Sequence, residues 1–181
     1  MKKAFFFFLL ATFTSLLYAQ ESFSAGAGFQ INNYSSAMFG AGGLVTTDFR
    51  FNELISLGSG FLFSYDAGNG SRASWEKPMT VMELSVNARW YFLRFKSLVD
   101  WFFEWQNYLH WFVQFETGFS VIGVDGKNMV TSQNNIPFML GVSAGVRIMI
   151  GNMYVEPYIR GGEPYMWGAG LIVGGRITGK E

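Results

Sequence analysis

Apolar residues alternate with polar or small residues along most of the chain after residue 22. In Phe23–Ile31 the odd positions are Phe, Ala or Ile, and the even positions are Ser, Gly or Gln. A period of two is typical of β-strands whose two faces meet different surroundings. The same pattern predicts seven further strands, at residues 39–51, 55–65, 80–92, 111–122, 138–148, 153–160 and 167–177. The sequence therefore predicts an all-β protein, an eight-stranded antiparallel up-and-down β-barrel.

Turn-forming and polar segments separate these strands. Asn52-Glu53 and Gly151-Asn152 are predicted tight turns, because glycine and asparagine tolerate the backbone angles of a hairpin. The segment after the first strand is a predicted loop. Three polar stretches are also predicted loops: Asp66–Pro78, Gly123–Asn135 and Gly161–Pro164. An even number of strands places both termini at one end of the barrel, with the tight turns there and the polar loops at the other end.

The connection Leu93–His110 does not fit this scheme, because it is long, apolar and aromatic. Its apolar residues recur at helical spacing, and Ser97 and Asp100 resemble a helix start. We predict a short amphipathic helix near residues 97–109, at the same end of the barrel as the tight turns. An extended turn or a longer strand is the alternative.

The first residues have the pattern of an export signal. Lys2 and Lys3 precede an apolar run from Ala4 to Ala11, and small Ala19 comes just before polar Gln20. This arrangement predicts a cleaved signal peptide at residues 1–19. A spanning helix needs about 20 apolar residues, and the polar residues arrive too early for one. We expect a single domain at residues 20–181, with no further domain after it.

Composition excludes several classes of protein. The chain has no cysteine, so it has neither a disulfide framework nor a thiolate metal site. Without Lys2 and Lys3, 11 basic residues face 13 acidic ones, and this balance argues against a nucleic-acid partner. Aromatic residues make up 19% of the chain and charged residues only 14%, which is unusual for a soluble enzyme.

The two faces of the strands indicate which one points inward. The apolar face carries Phe, Trp, Leu, Val and Ile on almost every strand, more volume than an eight-stranded interior holds. The other face carries glycine, serine and charges of both signs. Because a membrane barrel has its apolar face outside and its polar face inside, we predict a barrel that spans a membrane.

This assignment predicts two sets of residues. The lumen should contain a charge network formed by Asp48, Arg50, Glu83, Arg89, Glu116, Arg147, Glu156, Arg160 and Arg176. The outer surface should carry aromatic girdles at both membrane interfaces, formed by Phe23, Phe29, Phe39, Phe49, Phe63, Tyr65, Trp90, Phe92, Trp111, Phe138 and Trp167. Opposed charges in a narrow lumen would neutralise one another and plug the barrel, whereas a polar, gated conduit is the alternative.

Three stretches resemble small eight-stranded outer-membrane proteins, the class of the OmpA membrane domain, OmpX and OmpW: Ala88–Phe92, Tyr154–Arg160 and Trp167–Gly170. The resemblance covers the whole region after residue 19 and rests on pattern. It implies that the protein is located in the outer membrane of a double-membraned bacterium. It also implies that the outer-membrane insertion machinery binds the chain during assembly. The likeness to OmpW implies passive passage of small hydrophobic molecules as one role.

Two features depart from this class. Its members commonly end in an aromatic residue, whereas here the last strand passes through Ile177 into Thr178–Glu181. Pro157 lies inside a predicted strand, where the missing N–H is expected to force a bulge.

The residues give little support for catalysis, and no cofactor or metal site is predicted. His110 is the single histidine, and the topology places it at the periplasmic end beside Trp111. A catalytic triad would need Ser120 or Ser132 nearby, yet both are predicted a membrane thickness away. The sequence has no cluster of metal ligands, and its glycine-rich stretches do not open helices.

The leading hypothesis is therefore a non-enzymatic barrel that lies in the lipid bilayer, with a structural or surface-interaction role. An extracellular ligand would bind through the polar loops at residues 66–78 and 123–135. A passive channel for small hydrophobic molecules is the alternative, and a lipid-modifying enzyme dependent on His110 is a third hypothesis.

Overall fold

A computed structural model describes residues 22–35, 38–52, 54–66, 79–92, 109–124, 138–163 and 165–178. These residues form eight strands: β1 (Ser22–Ser35), β2 (Met38–Arg50), β3 (Ile55–Asp66), β4 (Met79–Phe92), β5 (Leu109–Val124), β6 (Phe138–Ile150), β7 (Met153–Glu163) and β8 (Tyr165–Thr178). Each strand pairs antiparallel with its neighbours in the chain, and β8 pairs with β1 to close the barrel. The predicted fold is confirmed. None of the described residues forms a helix able to cross a membrane.

The strand register fixes the shape of the barrel. A path of directly paired residues that leaves β1 at Ser22 returns to β1 at Asn32, ten residues further along. The path runs through Arg50, Ser56, Arg89, Gln114, Ser143, Arg160 and Gly168. A stagger of this kind requires the strands to tilt, typically by about 35–45° from the barrel axis. All residues on this path face the lumen.

Each strand has one face toward the lumen and one face outward. The buried residues on the lumen side include Ser56, Glu83 and Arg89, whereas Leu57, Leu84 and Trp90 are exposed on the outer side. The core therefore lies inside the barrel. Its hydrophobic part contains Tyr91, Phe112, Tyr154, Tyr158 and Ile172, with Leu44 and Met149 packed against them. We call the end with Ser22 and Thr178 the terminal end and the opposite end the loop end.

Several strands are longer than the sequence predicts. Residues 32–35 belong to β1 and Gly161–Glu163 belong to β7, so the loops predicted there are wrong. Asp66 is the last residue of β3 and is buried, and β5 continues to Val124. The physical reason is that a polar lumen accepts polar residues, so polarity does not end a strand.

The predicted helix near residues 97–109 falls almost entirely outside the described residues. Its last residue, Leu109, is the first residue of β5 and pairs with Ile148. That end of the prediction is wrong, because pairing with β6 offers Leu109 backbone hydrogen bonds in a strand. The predicted signal peptide at residues 1–19 also lies outside the described part.

Two tight turns at the terminal end have a clear local cause. Ile150 pairs directly with Met153, which leaves a two-residue turn in which Gly151 has a φ of 62°. Such a left-handed angle favours glycine. In the turn after β2, the Asn52 side-chain oxygen accepts hydrogen bonds from the Leu54 and Ile55 amides, both at 2.8 Å. An asparagine that satisfies following amides in this way initiates a turn.

Pro157 does not force the predicted bulge. The register between β6 and β7 is the same on both sides of it, from Gly145↔Tyr158 to Ile148↔Val155. The ladder is instead interrupted opposite the proline, because its ring nitrogen cannot donate a hydrogen bond. The one register shift in β7 lies further along, between Arg160 and Gly162 on the β8 side.

Candidate functional site in the barrel lumen

Charged side chains meet in the lumen because they occupy alternate positions of different strands. Buried acidic or basic residues come from β2, β3, β4, β5, β6 and β7. Charges removed from water need partners and hydrogen bonds. The side chains satisfy this need in two clusters, one nearer each end of the barrel.

The terminal-end cluster consists of Asp48, Arg89, Tyr91, Arg147 and Glu156. Arg147 bridges two acids, with 2.9 Å from Nη1 to Asp48 Oδ2 and 2.7 Å from Nε to Glu156 Oε2. Arg89 binds the same glutamate, with 2.9 Å from Nη2 to Oε1 and 2.9 Å from Nη1 to Oε2. The Tyr91 hydroxyl donates to Asp48 Oδ2 at 3.1 Å. Two acids and two arginines therefore balance within this cluster.

Aromatic rings cover the guanidinium groups of this end. The Arg89 guanidinium lies 4.2 Å from the centre of the Phe112 ring, and that of Arg147 lies 4.3 Å from the Tyr154 ring. The Arg50 guanidinium lies 4.4 Å from the Tyr91 ring. These are cation–π distances, so the rings both stabilise the cations and exclude water from the cluster.

The loop-end cluster consists of Glu83, Glu116, Arg160 and Ser143. Arg160 Nη1 lies 2.9 Å from Glu83 Oε2, and its Nε contacts Glu116 Oε1. The Ser143 hydroxyl donates to the same Glu116 oxygen at 3.3 Å. Arg160 is thus shared between two carboxylates, as Arg147 is in the terminal-end cluster.

Neutral polar side chains extend the network toward β1. The Tyr158 hydroxyl donates to Gln30 Oε1 at 2.5 Å, and the Gln30 amide donates to Asn32 Oδ1. Gln30 and Asn32 are almost completely buried. Hydrogen bonds between neutral side chains therefore join β7 to β1.

These contacts cross the width of the lumen. The bridge from Asp48 to Arg147 joins β2 to β6, which are opposite each other in an eight-stranded barrel. Between the clusters lies a cavity of about 40 Å³, lined mainly by polar side chains such as Asn87, Gln114 and Ser85. This volume has room for about three water molecules.

The predicted network residues have the following places. Asp48, Arg89, Arg147 and Glu156 belong to the terminal-end cluster, and Glu83, Glu116 and Arg160 to the loop-end cluster. Arg50 is buried at the terminal end against Tyr91. Arg176 is exposed and forms no ion pair with the described residues, so the structure does not bring it into either cluster. Arg176 lies two residues before the end of β8, where its charge is exposed to solvent and needs no buried partner.

The predicted lumen network, which contains only charged residues, omits several other lumen residues. Tyr91, Phe112, Tyr154 and Tyr158 are buried inside although they are aromatic, and Asp66 is buried although a loop was predicted for it. The predicted network also lacks Gln114, whose Oε1 accepts from Arg89 Nη2 at 2.7 Å. The position of each tyrosine on the polar face was the signal that could have found it.

The eleven residues of the predicted aromatic girdles all lie on the outer face. Phe23 and Phe49 are half-buried with ring centres 4.6 Å apart, and the other nine are exposed. Phe23, Phe49, Trp90, Phe92 and Trp111 lie toward the terminal end. Phe29, Phe39, Phe63, Tyr65, Phe138 and Trp167 lie toward the loop end.

His110 lies at the terminal end, half-buried, with its ring edge-on to Tyr91 at 6.1 Å. Ser120 is ten positions further along β5, or about 33 Å at the usual strand rise. That distance does not allow a hydrogen bond between the two side chains. Ser132 lies outside the described residues. Within the described ranges, no group of three His, Cys, Asp or Glu side chains could hold a metal ion.

The chain is thus an eight-stranded up-and-down barrel with an apolar outer surface and ion pairs in its lumen. No protein-family model matches the chain, and no curated protein matches its sequence. Solved structures do match the fold. The outer membrane protein OprG from Pseudomonas aeruginosa has a TM-score of 0.59 at 7% identity, over 87% of this chain and 97% of that one.

Two further solved structures also match the fold of this chain. Neisserial surface protein A has a TM-score of 0.55 at 14% identity, over 85% of this chain and 95% of that one. The Yersinia pestis outer membrane protein Ail, solved in a phospholipid bilayer nanodisc, has a TM-score of 0.54 at 12% identity, over 87% and 100%. At these identities the likeness concerns the fold alone. It confirms the resemblance to small eight-stranded outer-membrane barrels.

Proposed function

We propose that this chain is an integral outer-membrane β-barrel with a lumen closed by charge pairs and a structural or surface-interaction role. Its residence in a membrane is supported by the outer surface, where large apolar side chains such as Leu84, Phe115 and Ile159 are each at least 60% exposed. A contiguous apolar surface of this kind is costly in water but favourable in hydrocarbon.

The observation that carries the closed lumen is the set of ion pairs joining opposite walls. Arg147 holds Asp48 from β2 and Glu156 from β7 at once, and Arg160 holds Glu83 from β4. An ion or solute that passes would have to separate buried pairs, and leaving a buried charge unpaired costs several kcal/mol, on the order of 3–5. The lumen is therefore a packed core, and the protein acts through its surface.

The proposal includes export and assembly. Residues 1–19 would serve as a cleaved signal peptide, and the insertion machinery of the outer membrane would receive the mature chain from Gln20. A surface partner would contact the loop end, since both long polar connections, at residues 67–78 and 125–137, join strands there. The protein would not be an enzyme, because the lumen charges bind one another.

Gel electrophoresis tests the membrane barrel. The protein in detergent is run with and without prior boiling, because a closed barrel stays compact until heated. We expect the unboiled sample to migrate faster. A protein that stays soluble in water without detergent, and runs at one position with and without boiling, would contradict membrane residence.

Conductance tests the closed lumen. In planar bilayers the wild-type protein should show no steady ion current. A variant that removes a bridge across the lumen, Arg147→Ala, should show discrete openings if it inserts. The hypothesis of a channel for small hydrophobic molecules predicts uptake of an apolar dye by vesicles containing the wild type. The polar lining of the central cavity argues against that outcome. Steady wild-type current or dye uptake would show that the lumen is open.

A further inference from the structure

Two hydroxyl groups bind each other on the outer face of the barrel. Thr47 of β2 pairs directly with Ser59 of β3, and their side-chain oxygens are 2.8 Å apart. Both side chains lie on the outward face of their strands, where Ser59 is exposed and Thr47 is half-buried. Ser59 also pairs directly with Val86, in the middle of β4. The two hydroxyls therefore lie away from both ends of the barrel.

One hydrogen of this hydroxyl pair has no acceptor among the described residues. Two hydroxyls carry two hydrogens, and only one of them can lie between the two oxygens. Thr117, another outward-facing residue, differs because its hydroxyl donates to the Met139 carbonyl oxygen at 3.1 Å. Hydrocarbon offers no acceptor, so an O–H group left unpaired at this depth has a free-energy cost. The hydroxyl pair therefore needs an acceptor from outside the chain.

Small residues surround the hydroxyl pair. Thr47 pairs directly with Ala25 of β1, which extends the row of small side chains to a third strand. Gly43 lies on the same face of β2 and is exposed, and a Cβ added there would meet no atom closer than 3.9 Å. The barrel itself therefore does not require glycine at this position. Glycine weakens a strand and often marks a place where another backbone approaches, so Gly43 indicates close packing against a partner.

We propose that Ala25, Gly43, Thr47 and Ser59, here called the Thr47 face, form the contact surface for a second copy of the chain in the membrane. The inference rests on the proposed membrane residence, since water would satisfy both hydroxyls of a soluble protein. A two-fold axis parallel to the membrane normal places each residue at the same depth in both copies. The two hydroxyl pairs then meet, and four hydroxyls in a ring can each donate one hydrogen bond and accept one.

A lipid chain fits this surface less well than a second copy does. An acyl chain could lie along the small residues, but it has no acceptor for the remaining hydroxyl hydrogen. Small residues and hydroxyl side chains are also the residues through which protein segments associate inside membranes, because they allow close approach of two backbones and hydrogen bonds between them. The Thr47 face combines both features.

Energy transfer between labelled copies tests the association. The chain has no cysteine, so Leu54→Cys, at an exposed side chain in the turn between β2 and β3, provides a single site for a dye. Protein labelled with donor and protein labelled with acceptor are mixed before refolding into phosphatidylcholine vesicles. We expect energy transfer above that of unassociated protein at the same surface density, and dilution with lipid should lower it.

Unboiled gels of the same samples separate this proposal from the proposed membrane barrel. Protein that migrates as a folded barrel but shows no energy transfer would overturn association with a second copy and leave the membrane barrel intact. Protein that does not enter the vesicles or shows no faster unboiled band would instead contradict the membrane barrel, and with it the basis of the proposal.

Removal of the hydroxyls locates the contact. Thr47→Val combined with Ser59→Ala removes both hydroxyls and changes the side-chain size little. Because hydrogen bonds between the two copies would be lost, the protein-to-lipid ratio at half-maximal transfer should rise by about five- to tenfold. Thr117→Val is the matched control, since it removes an outward-facing hydroxyl that is already satisfied within its own barrel. Transfer in this control should equal that of the wild type.

Gly43→Leu tests the same contact and keeps both hydroxyls. The new side chain has open space on its own barrel but would hold a second copy away, so transfer should fall to the level of unassociated protein. Ala144→Leu places the same residue on the outward face of β6, opposite β2 in the closed barrel, and should leave transfer unchanged. If the hydroxyl variant and Gly43→Leu both fold and keep wild-type transfer, the copies associate through another surface and the assignment to the Thr47 face is wrong.

Discussion

At the scale of the residue, Arg147 illustrates how the lumen accommodates charge. Its guanidinium binds two acids and lies over the Tyr154 ring. Burying charges has a large desolvation cost, and close pairing with good geometry offsets it. The stability of the barrel therefore depends on each pair being complete, more than on the number of pairs.

Charge reversal inside the terminal-end cluster should destabilise the protein strongly. Arg89→Glu would place a carboxylate beside Glu156, which Arg89 now binds at 2.9 Å. We expect a loss of at least about 3–5 kcal/mol in the free energy of unfolding, because a buried charge loses its partner and gains a repulsive neighbour. The urea dependence of tryptophan fluorescence in lipid vesicles measures this loss.

Arg176→Glu is the matched control, since Arg176 is exposed and lies outside both clusters. It should unfold within about 0.5 kcal/mol of the wild type. Arg160→Glu tests the loop-end cluster in the same way and should also lower the stability. If Arg89→Glu and Arg160→Glu both unfold like the control, the buried pairs do not hold the barrel together.

At the scale of the element, β7 and β8 fit together because one supplies large rings and the other supplies glycines. A Cβ on Gly174 would lie 2.4 Å from the Tyr154 ring and 2.4 Å from the Ala25 carbonyl oxygen. A Cβ on Gly170 would lie 2.5 Å from the Tyr158 hydroxyl. Glycine weakens a strand intrinsically, but here it makes room for the buried tyrosines.

Gly174→Ala should therefore destabilise the barrel, because backbone and a buried ring both block the new methyl group. Overpacking of this kind costs about 1–3 kcal/mol. The neighbouring Gly175 faces outward, and a Cβ there would meet its nearest atom at 3.5 Å. Gly175→Ala should be neutral or slightly stabilising. Unfolding midpoints in urea compare the two, and equal midpoints would show that the lumen has space to spare at Gly174.

At the scale of the whole molecule, the barrel reverses the arrangement of a soluble protein. Its buried set is dominated by polar and charged residues, whereas its exposed set contains many of the large apolar ones. Val86, in the middle of β4, is 59% exposed, and Ile177, near the end of β8, is 62% exposed. In a bilayer these two equally exposed positions would differ in depth.

This difference in depth tests whether a lipid bilayer surrounds the barrel. Val86→Arg would place a charge near the bilayer midplane and should cost about 2–4 kcal/mol, whereas Ile177→Arg near the interface should cost about 0–1 kcal/mol. Unfolding in lipid vesicles measures both. In water the two substitutions would have similar small effects, so equal costs would contradict the membrane assignment.

Strand number and strand faces followed from the sequence because side-chain direction alternates along any extended backbone. The pattern from Thr80 to Phe92 therefore gave both faces of β4 directly. Strand ends were harder. Asn32 and Gly161 looked like loop residues, but both continue strands whose inner side meets a polar lumen.

The sequence by itself determined that eight strands alternate and which side chains point inward, since both are local properties of the chain. Only the tertiary structure decided which charges meet. Arg89 and Glu156 are 67 residues apart, and Asp48 and Arg147 are 99 apart. Their contact depends on barrel closure and on a stagger of ten residues, which arise from the pairing of all eight strands together.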